Sequence, residues 1–286
     1  MDKNNEFSVT PMNQIVDLVP GETYNYSITI LNPANSTDSL DYKAYVAPYS
    51  VATEGYDVDT ATKTNYTRMV DWITISEPTG TLAPNEHKEL DFTITVPKDA
   101  AGGGQYAAII VGTDDDNDAQ DNVLVTNVLE IASVVYAQVD GEIIHKGEIL
   151  ENDVPGFSAD SEISTSSLVK NEGNMHEMVN ITIKATNALT GEVIVSSESG
   201  EGVYTELVMP DTQRFISRDI ANLPMVGIVN VQQNIYYNGE TSTIEKNVII
   251  CPIWLLVLSV ITIIAIITSI ILSVRKHKKK RARADL

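Results

Sequence analysis

Residues 24–30 read YNYSITI and residues 90–96 read LDFTITV, and these two stretches decide the class of fold. In the first, Tyr24, Tyr26, Ile28 and Ile30 fall on one side of an extended chain, with Asn25, Ser27 and Thr29 on the other. In the second, Leu90, Phe92, Ile94 and Val96 oppose Asp91, Thr93 and Thr95. Successive side chains of a strand point to opposite faces, so this alternation marks strands half-buried against a core. Working outward, the pattern predicts further strands at residues 41–47, 72–76 and 106–112. The apolar run 123–139 is expected as one bent strand or two. Pro20-Gly21, Asn32-Pro33 and the AGGG run at 101–104 punctuate them as turns. Short strands at this spacing describe an immunoglobulin-like β-sandwich over residues 1–140.

Asp140-Gly141 reads as a hairpin turn, after which the alternation returns at 179–185, 192–196, 214–220 and 227–237. A second sandwich is expected over residues 141–247. The halves share an echo: Pro84 and Pro97 flank one strand, Pro210 and Pro224 another, and a glycine-led apolar strand follows each pair, at Gly104 and Gly227. The expected fold class is all-β, two tandem immunoglobulin-like β-sandwiches followed by one C-terminal transmembrane α-helix.

That helix is expected within residues 248–274, a run without a charged residue. Crossing a bilayer core of roughly 30 Å takes about 20 apolar residues in a helix. Residues 253–274 supply 22, of which 15 are Ile, Leu or Val. Ser259, Thr262, Thr268, Ser269 and Ser273 are compatible with a span because hydroxyls can bond back to helix carbonyls. Trp254 is placed as an interfacial anchor at one end, and Arg275, Lys276, Lys278 and Lys279 begin a basic cytoplasmic tail, 275–286, at the other. The expected localisation is the cell membrane, single-pass, with the N-terminus outside. The opening MDKNNEFSVTPMNQ has no apolar signal region, so the expectation is that the given chain begins after a removed signal peptide.

The chain carries 19 basic and 39 acidic residues. The tail holds seven of the former and one of the latter, leaving 12 against 38 in the remainder. So acidic an ectodomain argues against binding nucleic acid or anionic lipid head groups. The single cysteine, Cys251, allows no disulfide within the chain, which points to a bacterial surface and to cores held by packing alone. No nucleophile–base pair, phosphate loop or cofactor fingerprint is visible, so neither an enzyme nor a cofactor is expected.

The long connection at residues 48–71 is the expected binding loop, with Tyr49, Tyr56 and Tyr66 as candidate ligand contacts. The plainer reading of these rings is that they cover the sandwich edge. The acidic run DDDNDAQD at 114–121 lacks the sixth-position Gly and twelfth-position Glu of an EF-hand, having Ala119 and Val125 there. It reads as an acidic loop tip, with a looser calcium site as the alternative. HEMVN at 176–180 lacks the second histidine of a zinc-protease helix, and NLPMVG at 222–227 lacks the threonine of a sortase signal.

The segments FSVTPMNQ (7–14), PGETYNYSITILNPAN (20–35) and EPTGTLAPNEHKELDFTITVPKDAAGGGQYAAIIV (77–111) resemble the WxL-interacting protein family. That resemblance implies a Gram-positive surface protein engaged in adhesion. Its first domain would be peptidoglycan-binding and its second would bind a host ligand. It further implies a scaffold that holds peptidoglycan and a WxL-domain or other surface or host protein, anchored in the lipid bilayer. The alternative is an accessory or sensor subunit of a membrane transport or secretion complex.

Overall fold

A computed structural model describes residues 7–53, 58–113, 129–197 and 203–284. Among these the strands run β1 (Ser8–Thr10), β2 (Asn13–Leu18), β3 (Thr23–Leu31), β4 (Leu40–Pro48), β5 (Ser50–Val51), β6 (Val58–Asp59), β7 (Ile73–Ile75), β8 (Thr79–Leu82), β9 (His87–Thr95), β10 (Gly103–Thr113) and β11 (Glu130–Val139). They continue with β12 (Gly147–Asp153), β13 (Phe157–Ser158), β14 (Ile163–Asn171), β15 (Glu177–Asn187), β16 (Val193–Ser196), β17 (Tyr204–Val208), β18 (Gln213–Ile220), β19 (Gly227–Tyr237) and β20 (Glu240–Ile250). A 3-10 turn spans Arg68–Asp71, and one helix, α1, spans Ile253–Ala284. The protein is thus mostly β-sheet with one apolar C-terminal helix.

The chain divides into two compact units. The first comprises Met1–Glu148, Val169–Val179 and Glu206–Phe215; the second comprises Ile149–Leu168, Asn180–Thr205 and Ile216–Leu286. In the first unit one sheet has the order β1-β3-β9-β7 and another β2-β11-β10-β4-β8. The two opening stretches are its β3 and β9, paired antiparallel with Ile28 opposite Leu90 and Tyr26 opposite Phe92. Ile28, Ile30, Leu90, Phe92 and Ile94 bury their side chains with Ala107, Ile109, Val135 and Val139 of the facing sheet, as the alternation predicts. Strand β10 is buried along its whole length. Ala107, Ile109 and Val111 face that core, while Tyr106, Ala108 and Ile110 join a second cluster with Tyr49 and Met209.

Asp140-Gly141 is not a hairpin. Strand β11 pairs with β10 and β2, whereas β12 pairs with β14. Asp140 instead donates its N–H to Leu18 O at 2.8 Å, and Gly141 lies so close to Gly102 that a Cβ on Gly102 would sit 2.7 Å from its Cα. The need here is close backbone approach, not a tight reversal.

Two asparagines do the same work at two places. Asn32 Nδ2 donates to Asp38 O at 3.1 Å and Leu82 O at 3.0 Å, and Asn171 Nδ2 donates to Met175 O at 2.8 Å and Val208 O at 3.0 Å. In each case the asparagine's own N–H reaches the loop beyond that second strand, at Glu86 O and Thr212 O, both 2.9 Å. The residues between, Asn85 and Asp211, both take positive φ, 66° and 59°. Replacing Asn171 by alanine is expected to lower unfolding stability by about 2 to 4 kcal/mol, because buried carbonyls lose their donor. Asn32→Ala is expected to behave alike, and a urea titration of each variant checks both.

The uncharged run beginning at Val248 is divided between strand and helix. Val248 and Ile250 are fully buried in β20, and α1 starts after Pro252. Its segment Ile253–Arg275 has a mean hydropathy of 3.0 and no buried part, so it is long and apolar enough to cross a membrane. Ser259, Thr262 and Thr268 bond back to carbonyls three or four residues earlier, at 2.7 to 2.9 Å.

Candidate functional site

The first unit holds a cleft of about 610 Å³ whose lining includes Tyr49, Lys63, Asn65, Tyr66, Arg68, Tyr106, Met209 and Asp211. A second hollow of about 550 Å³ shares Asn65, Tyr66 and Arg68 and continues past Trp72 and Asp99 to Gln105 and Asn174. The Asn65–Arg68 turn is therefore a ridge with a hollow on each side. Every lining residue of both belongs to the first unit.

The floor is built by β10 and the loop above it. Beyond Pro48, β4 stops pairing with β10, and the loop takes over: Tyr106 N–H donates to Tyr66 O at 2.8 Å and Gln105 Nε2 to Asn65 O at 2.9 Å. Gln105 is 6% exposed, and its Oε1 is buried without a hydrogen-bond partner. A buried carbonyl oxygen left in this state costs free energy.

Behind the cleft stands an aromatic stack. Tyr136 packs edge-on against Tyr49, Tyr106 and His176, with ring centroids 5.6, 5.9 and 5.7 Å away. Tyr136 donates its hydroxyl to Tyr49 Oη at 3.0 Å. Tyr106 Oη accepts the His176 backbone N–H at 2.9 Å and lies 3.0 Å from His176 Nδ1. Burial pushes the Tyr106 and Tyr136 hydroxyls far above the ordinary phenol range. Burial lowers the His176 imidazole, against a smaller opposing effect of Glu177. His176 is therefore neutral at pH 7, and in the tautomer with the proton on Nε2 its Nδ1 accepts the Tyr106 hydroxyl hydrogen.

The unfolded His176 binds its proton near the ordinary value of about 6.5, above the folded one, so its contribution to stability is complete above that value. It is lost as the pH falls through about 6.5 towards the lower folded value. His176→Gln is expected to flatten the stability profile between pH 7.5 and 5.5, as read from urea midpoints across that range. A wild-type midpoint that rises on acidification would contradict this.

The residue that joins the 171–176 segment to β10 is Asn174. Its Nδ2 donates to Gly102 O at 3.0 Å and Glu142 O at 2.8 Å, its Oδ1 accepts Ile144 N–H at 2.7 Å, and its own carbonyl accepts Gly104 N–H at 2.7 Å. Beside it, Glu172 lies between Lys146 and Lys170, and their hydrogen bonds hold its carboxyl at about 2.

Of the expected ligand contacts, Tyr49 and Tyr66 come together on this cleft, Tyr49 largely buried and Tyr66 half-buried. Tyr56 lies outside the described residues, as does the acidic run 114–121. Trp254 is exposed on the first turn of α1, Arg275 is exposed at the end of its apolar part, and Lys276, Lys278 and Lys279 follow in the same helix. The residues that sequence reasoning missed are Arg68, Gln105, Asn174 and His176; AGGG, just before Gln105, was the one signal pointing at them. Lys63 is paired with Asp71 at 2.8 Å. Arg68 Nη2 donates to Asn65 Oδ1 at 2.7 Å and, among the described residues, meets no carboxylate at ion-pair distance. Among the described residues no three His, Cys, Asp or Glu side chains gather where they could hold a metal ion.

No protein-family model matches the chain, and no curated protein does. Among solved structures it is similar to the class 5 fimbriae chaperone CfaA, with a TM-score of 0.40 and 11% identity over 84% of this chain and 99% of that one. It is also similar to a chain of the Salmonella enterica SafA pilin complex with the SafB chaperone (TM-score 0.40, 11% identity, 86% and 96% covered). A third is the PapD-like domain 7 of human CEP192 (TM-score 0.30, 14% identity, 48% and 87% covered). Likenesses of this size carry no argument about what this chain binds.

The expected membership of the WxL-interacting protein family is corrected: no family model or curated protein supports it, and the similar solved structures named above are fimbrial chaperones and a PapD-like domain. With it go the peptidoglycan and WxL-domain or host-protein partners, the Gram-positive adhesion role, and the alternative of a transport or secretion subunit. The physical reason lies in the segments that carried the resemblance. Pro20-Gly21 is a turn with Gly21 at φ 87°, and in LAPNE (82–86) the Glu86 carboxylate accepts Ala83 N–H at 2.8 Å while Asn85 takes positive φ. These are needs of strand ends in any sandwich, met here by ordinary residues.

Proposed function

We propose that the chain is a membrane-anchored, non-catalytic binding protein that takes an extended polypeptide segment bearing a carboxylate into the tyrosine-lined cleft. The observation that carries this reading is the paired hollow around the Asn65–Arg68 turn. It offers the half-buried ring of Tyr66 beside Tyr49, and an arginine without a carboxylate partner among the described residues. An extended peptide supplies complementary alternating side chains.

The ectodomain is read as two tandem immunoglobulin-like sandwiches, 1–140 and 141–247, which the repeated asparagine clamps at Asn32 and Asn171 support. The basic residues after Val274 support a cytoplasmic C-terminus, with the cleft outside. The test is binding of a peptide array, free-acid against amidated, to the full chain in lipid nanodiscs. Arg68→Ala is expected to weaken free-acid peptides about 10- to 100-fold, the value of a charge-assisted hydrogen bond. Equal retention by wild type, Arg68→Ala and Tyr66→Ala would sink the reading.

A further inference from the structure

The outward face of the second unit's large sheet changes character along its strands. Opposed residues of β19 and β20 run Gln232 with Glu245, Asn230 with Asn247, then Ile228 with Ile249. The first two pairs are polar, and Asn230 Nδ2 bonds Glu245 Oε1 at 3.0 Å and Asn247 Oδ1 at 3.2 Å. The third is apolar, and β13 extends the row by setting Phe157 beside Ile249. This is the end of the sheet from which α1 leaves. The neighbouring loops end there too, since Ala188 N–H donates to Ile228 O and Met225-Val226 lead into Gly227. Those loops carry Leu189 at 84%, Met225 at 67% and Val226 at 54% exposure. Large apolar side chains this bare, gathered at one end, mark a contact surface.

The occupant is indicated by what shares the surface. Met225 lines a hollow of about 430 Å³ together with Asp160, Pro252, Ile253 and Trp254, the last two being the first turn of α1. The 23 apolar-segment residues Ile253–Arg275 rise about 34 Å as a helix, slightly more than a hydrocarbon core of about 30 Å. Trp254 then lies in the headgroup layer, where its amphipathic ring is favoured, and Met225 lies beside it. We infer that the α1-proximal end of the second unit is itself a bilayer-contacting surface, with Leu189, Met225, Val226 and Phe157 dipping into the interfacial layer. Glu192, in the loop of Leu189, and Asp160, across the hollow from Met225, hold that contact at headgroup depth, short of the hydrocarbon. This rests on the reading of α1 as a membrane span.

The test uses the full chain with Cys251→Ser, carrying one cysteine at a time at Leu189, Val226, Glu240 or Ile264. Each variant is labelled with an environment-sensitive fluorophore in phosphatidylcholine vesicles. Glu240 follows the Asn238-Gly239 turn at the far end of β20 and serves as the aqueous reference. Iodide quenching at Leu189 and Val226 is expected to fall about threefold below that at Glu240, with quenching by headgroup-labelled lipid in its place. Iodide quenching at Leu189 and Val226 equal to that at Glu240, while deep-labelled lipid still quenches Ile264, would overturn the surface and leave the span standing. Loss of deep quenching at Ile264 would overturn both.

Discussion

Replacing Arg214 by alanine is expected to destabilise the first unit by about 3 to 5 kcal/mol. Arg214 stands on β18 and Glu206 on β17, and their side chains are 6% and 7% exposed. Arg214 Nη2 lies 3.4 Å from Glu206 Oε2, a long hydrogen bond, so the magnitude does not come from the strength of that contact. It comes from burial, because alanine takes a buried guanidinium away from a carboxylate held in a poorly solvated place. Arg214 Nη1 also donates to Ala52 O at 2.7 Å, next to the Phe215 N–H bond to Thr53 O at 2.8 Å. Alanine therefore releases the segment that leads out of Tyr49 and Ser50, and the wall of the cleft loosens with it. Arg214→Met combined with Glu206→Leu is expected to recover most of the loss, since neither charge then remains to be buried. Chemical denaturation of the three proteins decides the matter. A single Arg214→Ala variant within 1 kcal/mol of wild type, or a double variant no better than it, would contradict the account.

Much of the sheet framework was legible in the chain because period-two alternation with Ile, Val, Leu and Phe has few other readings. Strands β3, β9, β15, β18 and β19 lie where the pattern puts them. Strand β14 was illegible for a physical reason. Its inward positions are Ile163, Thr165, Ser167, Val169 and Asn171, and three of the five are polar. Ser167 is accommodated because Gln233 Nε2 donates to its Oγ at 3.1 Å and to Ser166 O at 3.2 Å. That partner lies 66 residues away and leaves no local trace. Strand β20 was hidden similarly, with ETSTIEKN showing no apolar face until Val248. The cleft was half-legible. A long tyrosine-bearing connection is visible in sequence, but its floor depends on Gln105 and Asn174, which are 69 residues apart and unremarkable singly.

The AGGG run carries the second large effect, and its reading changes from turn chemistry to packing. Only its last two residues enter β10, and what Gly104 supplies is space. A Cβ there would lie 2.0 Å from Tyr106 Oη and 2.6 Å from its ring Cζ, because the tyrosine leans back along its own strand over the glycine. Tyr106 has no exposed surface, and its hydroxyl is committed to the His176 N–H and Nδ1. It cannot swing aside without abandoning both bonds and the Tyr136 edge contact. Gly104→Ala is therefore expected to cost about 2 to 5 kcal/mol, overpacking strain plus a buried hydrogen bond lost. Tyr106→Phe alone should cost less, about 1 to 3 kcal/mol, by leaving the His176 N–H without its acceptor. The pair should be sub-additive, because with the hydroxyl gone the alanine methyl meets only the ring. The Gly104→Ala variant should also lose part of the His176 share of the acid sensitivity between pH 7.5 and 5.5, since displacing the Tyr106 ring opens the burial that lowers the imidazole. A full double-mutant cycle by urea denaturation at both pH values measures all three quantities. Strict additivity of Gly104→Ala and Tyr106→Phe would show that the glycine is required for something other than room for this hydroxyl.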